Sequence, residues 1–150
     1  MTVLDIVDLP ADRLPGGALV VPLFEDQRPL AGPVGVVDWR LDGALTRMIL
    51  AGELTGKTGE RLALQTNAKF AAPWVLLSGS GPWQTLDRAK YLQMIERLLK
   101  TAVKAGIEEV ALCLPSAEHV DPPELERMVR EALIGSSRPA VCRLSRVAHL

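Results

Sequence analysis

Trp74-Val-Leu-Leu-Ser-Gly-Ser-Gly81 decides the fold class of this 150-residue chain. Val75, Leu76 and Leu77 place apolar side chains on both faces of an extended segment, so Pro73–Ser78 predicts a central strand covered on both sides. Gly79, Ser80 and Gly81 break it, with Pro82 next. About Leu86 to Ala105 then carries Tyr91, Leu92, Ile95, Leu98, Leu99, Ala102 and Val103 on one helical stripe. Thr85 is the expected cap and Gly106 the expected stop. A buried strand turning sharply into an amphipathic helix is the repeating unit of an α/β sheet.

The unit recurs on either side. Downstream, Val110–Leu114 predicts a buried strand closed by Pro115. Asp121-Pro-Pro-Glu124 predicts a helix start, with Asp121 as cap, proline in the first turn and Glu124 reaching back. Leu125, Met128, Val129, Ala132 and Leu133 face inward until Gly135, and Ala140–Leu144 is a last strand. Upstream, Thr2–Val7 alternates as a partly covered strand does, and Ala18–Phe24 reads as a buried one. Gln27–Gly35, with two prolines and two glycines, predicts loop. Asp38 predicts the cap of a helix running to about Ala51, and Gly52 its stop. Arg61–Gln65 alternates like a strand near a sheet edge. The early strands lack intervening helices, so the expected fold is a three-layer α/β/α sandwich around a mixed sheet, in one domain over residues 1–150.

Composition narrows the function. Apolar residues make up 48% and charged residues 23%, and 17 basic against 18 acidic side chains leave a net charge of −1. No polyanion-binding field follows from that balance, which argues against nucleic acid, with an Arg138, Arg143, Arg146 cluster as a local exception. The longest apolar runs, such as Ala18–Leu23, fall far short of the roughly 20 residues that span a bilayer. Met1-Thr-Val-Leu-Asp-Ile shows no secretion signal, so a cytoplasmic protein with no membrane partner is expected. Cys113 and Cys142 sit in apolar runs and read as small buried hydrophobes.

Hydrolytic chemistry lacks its residues. The two histidines, His119 and His149, belong to no metal-binding or nucleophile motif, and no carboxylate cluster stands out. No catalytic residue, metal ligand or cofactor is therefore expected. Glu126 and Arg130 read as a solvated helix pair. Gly56-Lys57-Thr58 is a turn, because position 51 is Ala where a phosphate loop needs glycine. Gly79, Ser80, Gly81 and Thr85 are the expected ligand-binding residues. N–H groups in a strand-to-helix turn can hold a small anion, although Asp87 nearby opposes one.

The order of these pieces resembles a known family. Leu19-Val-Val-Pro-Leu-Phe24 comes first, then Leu41-Asp-Gly-Ala-Leu45 through Ile49-Leu50. Gly52-Glu-Leu-Thr-Gly56-Lys57, Gly59-Glu60 and Trp74–Gly81 follow. This order is similar to the N-terminal domain of the M17 leucyl aminopeptidases, over most of residues 1–135 and most strongly from Ala18 to Gly81. The resemblance implies a macro-domain-like fold. It also implies that the two-metal site, with its Asn-Thr-Asp-Ala-Glu-Gly-Arg signature, belongs to a second domain that is not in this sequence. The expected function is a stand-alone, non-catalytic binding, assembly or regulatory module. Its expected partner is a second copy or a separately encoded aminopeptidase, with Leu30–Trp39 and Trp83 as candidate apolar patches. The alternative is a macro-like domain binding a nucleotide of the ADP-ribose type.

Overall fold

The computed structural model describes residues 2–117, 120–135 and 138–147. Six strands form one sheet: β1 (Val3–Val7), β2 (Ala18–Leu23), β3 (Arg61–Gln65), β4 (Trp74–Gly79), β5 (Glu109–Leu112) and β6 (Val141–Ser145). Four helices accompany them: α1 (Gly32–Arg40), α2 (Ala44–Leu50), α3 (Arg88–Lys104) and α4 (Pro122–Ala132). The strand order is β1-β6-β5-β2-β4-β3, parallel throughout except for β3, which runs antiparallel along β4. The expected mixed-sheet sandwich is what the chain forms.

Period-two alternation sorts the strand side chains between two cores. Ala18 and Val20 of β2, with Val110, Leu112, Cys142 and Leu144, pack under α3 and α4. Leu19, Val21 and Leu23, with Val75 and Leu77, pack under α1 and α2. The whole of β2 is buried, as a central strand flanked by parallel neighbours must be. Pro22 is tolerated there because β5 pairs β2 only as far as Val20, so the missing N–H breaks no ladder bond on that side.

Three helix boundaries differ from expectation. Gln27–Gly35 is not all loop: α1 begins at Gly32, with Pro33 in its first turn. The single helix expected from Asp38 is split, because Asp42 (φ 57°) and Gly43 (φ 78°) take left-handed conformations between α1 and α2. Asp38 does cap, but from within α1: its carboxylate accepts from the N–H groups of Leu45 (2.9 Å) and Thr46 (3.0 Å) at the start of α2. In α3 the cap is Asp87 rather than Thr85. Its carboxylate accepts from Lys90 N at 2.8 Å, and a charged acceptor complements the helix dipole better than a hydroxyl does. In α4 the cap is Asp121 as expected, bonded to Glu124 N at 2.9 Å. Glu124 itself does not reach back, since Arg88 (2.6 Å) and Arg127 (3.0 Å) draw its carboxylate away.

Candidate functional site

The carboxyl ends of β2 and β4 meet the turn that precedes β3, and three backbone segments interlock there. Gly79 N donates to Glu60 O (2.7 Å), Ser80 N to Leu23 O (2.8 Å) and Gly81 N to Gly56 O (3.0 Å). Gly81 O in turn accepts from Glu25 N at 3.0 Å. The packing is close enough to dictate residue type. A Cβ on Gly79 would stand 1.9 Å from Lys57 O, and one on Gly56 2.7 Å from the Phe24 carbonyl carbon. Gly56 also has φ +93°, where a side chain is strained regardless of space.

These contacts bear directly on the residues expected to bind a ligand. The N–H groups of Gly79, Ser80 and Gly81 all donate to protein carbonyls. The Ser80 hydroxyl donates to Ser78 O at 3.1 Å. Thr85 is exposed, and its carbonyl accepts from Lys90 Nζ at 3.2 Å. Gly79–Gly81 and Thr85 thus lie in one connection between β4 and α3, with the three glycine-turn donors committed.

Two carboxylates to which the sequence assigned no role, Asp26 and the motif residue Glu60, hold this region. Asp26 accepts from Trp83 N (2.7 Å) and Gln84 N (3.0 Å), a seat an anion would otherwise take. Desolvation opposes its ionisation, but those two N–H bonds prevail and its pKa falls below the ordinary value. Glu60 accepts from Thr55 N (2.9 Å), Gly56 N (2.7 Å) and the Thr55 hydroxyl (2.9 Å). There too desolvation is outweighed by the bonds, and the pKa is lowered. Arg28 joins the loops, donating to Phe24 O (2.9 Å) and Thr55 O (2.9 Å). The signal for Glu60 was its place at the end of a Thr-Gly-Lys-Thr-Gly turn. Asp26 had no local signal, since its partners lie 57 and 58 residues away.

Other candidates resolve in the same way. Trp83 is not a free patch but packs edge-on against Phe24, ring centroids 4.9 Å apart. Leu30–Trp39 is largely core-facing: Val34 and Val37 are buried, while Trp39 is 74% exposed. Arg143 pairs with Glu109 (2.8 Å) and Arg146 with Asp8 (2.7 Å), which neutralises two members of the arginine cluster. Cys113 and Cys142 are buried, and burial pushes each thiol up to about 12. His119 and His149 lie outside the described residues. Among the described residues no group of three or more His, Cys, Asp or Glu could hold a metal ion. Asp8, Asp42 and Glu124 face Arg or Lys, whereas Asp26, Asp38, Glu60, Asp87 and Asp121 take backbone N–H groups. That donor set does not fit the two-metal centre expected of an M17 catalytic domain.

Residues 20–139 match the cytosol aminopeptidase family, N-terminal domain. The chain belongs to that family. A probable cytosol aminopeptidase of Idiomarina loihiensis is 36% identical over 115 residues, covering 77% of this chain and 23% of the relative. One of Colwellia psychrerythraea is 32% identical over the same share of each. The chain spans about a quarter of the length of the curated relatives it matches. A tomato leucine aminopeptidase mutant shares the fold with a TM-score of 0.68 at 14% identity, over 99% of this chain and 33% of that one. The macrodomain of Thermus aquaticus DarG has a TM-score of 0.61 at 16% identity, over 98% and 99% of the two chains. The M17 N-terminal domain thus has a macrodomain-like fold here, and its Gly-x-Gly and Gly-Lys turns are the two sides of one backbone junction.

Proposed function

We propose that this M17 N-terminal domain works as a non-catalytic binding or assembly module, pairing with itself or with a separately encoded aminopeptidase. The observation that carries this reading is the match to the family's N-terminal domain, on a chain whose described residues hold no group of three or more His, Cys, Asp or Glu able to bind a metal ion. Two exposed apolar side chains on the helical layer of α1 and α2, Trp39 and Leu50 at 82%, offer contact points for such a partner. The relatives' description as cytosol aminopeptidases supports placing the module in the cytoplasm. Light scattering on a size-exclusion column, with a pull-down against a purified M17 catalytic half, tests the reading. A strict monomer that captures no peptidase overturns it. Metal-dependent aminopeptidase turnover by this chain alone, with manganese or zinc added, overturns the non-catalytic part.

The alternative, a nucleotide of the ADP-ribose type near Gly79, Ser80, Gly81 and Thr85, has the macrodomain-like fold in its favour. Against it stand the committed N–H groups of that turn. A thermal-shift titration decides, and no shift at millimolar ADP-ribose removes it.

A further inference from the structure

Away from the glycine turn, the carboxyl ends of β1, β5 and β6 and the start of α4 line a partly open cavity of about 160 Å³. Ile6, Leu114, Leu125 and Leu144 line it with aliphatic side chains, and Pro122 and Pro123 add two rings. We infer that this cavity binds a small neutral ring compound: one aromatic ring carrying at most one small polar substituent.

The size fits, since an apolar cavity of about 150 Å³ takes up benzene in a protein interior. The position fits as well, because open α/β sheets bind ligands outside the carboxyl ends of their strands. Charge and hydrogen bonding then exclude the anionic ligands that helix starts commonly attract. Pro122 and Pro123 have no N–H to offer, Glu124 N is held by the Asp121 carboxylate, and Leu125 N donates to Asp121 O at 2.9 Å. The two charged residues of the lining are both paired: Arg146 with Asp8 at 2.7 and 2.8 Å, Glu126 with Arg130 at 2.8 Å. Ser145 Oγ donates to Leu9 O (2.7 Å) and accepts from Val147 N (3.3 Å). Ser116, exposed at the rim, supplies the hydroxyl that meets a polar substituent.

Methyl-resolved NMR on the whole chain tests this with p-cresol and, separately, phenyl phosphate. Saturable shifts at the Ile6, Leu125 and Leu144 methyls are expected with p-cresol at low-millimolar concentration. Phenyl phosphate binds at least roughly tenfold more weakly, because the cation in the lining, Arg146, is already neutralised by Asp8 and Glu126 adds a like charge. Ser116→Phe, a change at an exposed position, fills the mouth and weakens p-cresol by about tenfold or more while the fold persists. Absence of saturable shifts, equal binding of the two probes, or undiminished binding by the Ser116→Phe protein overturns the inference. None of these outcomes depends on whether a partner peptidase exists.

Discussion

Gly79 has no room for a side chain, because the Lys57 carbonyl oxygen occupies the place where its Cβ would sit. Gly79→Ala therefore forces backbone apart, and a loss of roughly 3 kcal/mol is expected in urea unfolding, the upper range for overpacking. Gly52→Ala is the control: nothing lies within 4 Å, φ is +76°, and only the left-handed strain of about 1 kcal/mol applies. Glu60 serves the same junction by accepting three bonds, so Glu60→Ala is expected to cost about 1–3 kcal/mol. Asp26 and Glu60 are both held below their ordinary values of 3.8 and 4.5. A lowered folded-state pKa means the unfolded chain takes up protons first as pH falls. Their contribution is thus complete above the ordinary values and is lost as pH drops through the lowered ones. Urea midpoints measured across acidic pH are expected to fall less steeply for the Asp26→Asn, Glu60→Gln double variant than for the natural sequence.

At the scale of elements, α3 and α4 were legible in stripe and stop, and α4 in its cap too, because those signals lie within one stretch of chain. The α3 cap fell two residues later than expected, at Asp87. Asp121 with Pro122 and Pro123 fixes the start of α4, and Leu98, Leu99 and Ala102 repeat on the buried side of α3. Removing one such side chain, Leu98→Ala, is expected to cost 2–5 kcal/mol, the range for emptying a fully buried position. The division between α1 and α2 was not legible, since apolar spacing alone continues smoothly past Leu41. The break arises at Asp42 and Gly43, and Asp38 then accepts, forwards across it, from two N–H groups of the next helix. Asp38→Ala is expected to lower stability by about 1 kcal/mol, read by thermal unfolding, and to fray α2 more than α1.

Across the whole molecule, one sheet separates two cores, and the caps and ion pairs named above engage much of the acidic complement. Among the described residues no acid cluster is left to bind a divalent metal, so the protein is expected to gain no stability from one. Manganese, zinc or a chelator is expected to leave its thermal midpoint unchanged, where a metal-dependent fold would shift by many degrees. The sequence by itself determined the strand set, the α/β layering and the family, because those follow from periodicity and from short motifs in a fixed order. Only the tertiary structure decided what the motifs are for. Gly79 of β4 and Gly81 just beyond it answer the carbonyls of Glu60 and Gly56, 19 and 25 residues back, and Asp26 reaches N–H groups more than 50 residues on. Contacts of that separation leave no local pattern, since nothing in the intervening chain has to change for two loops to touch.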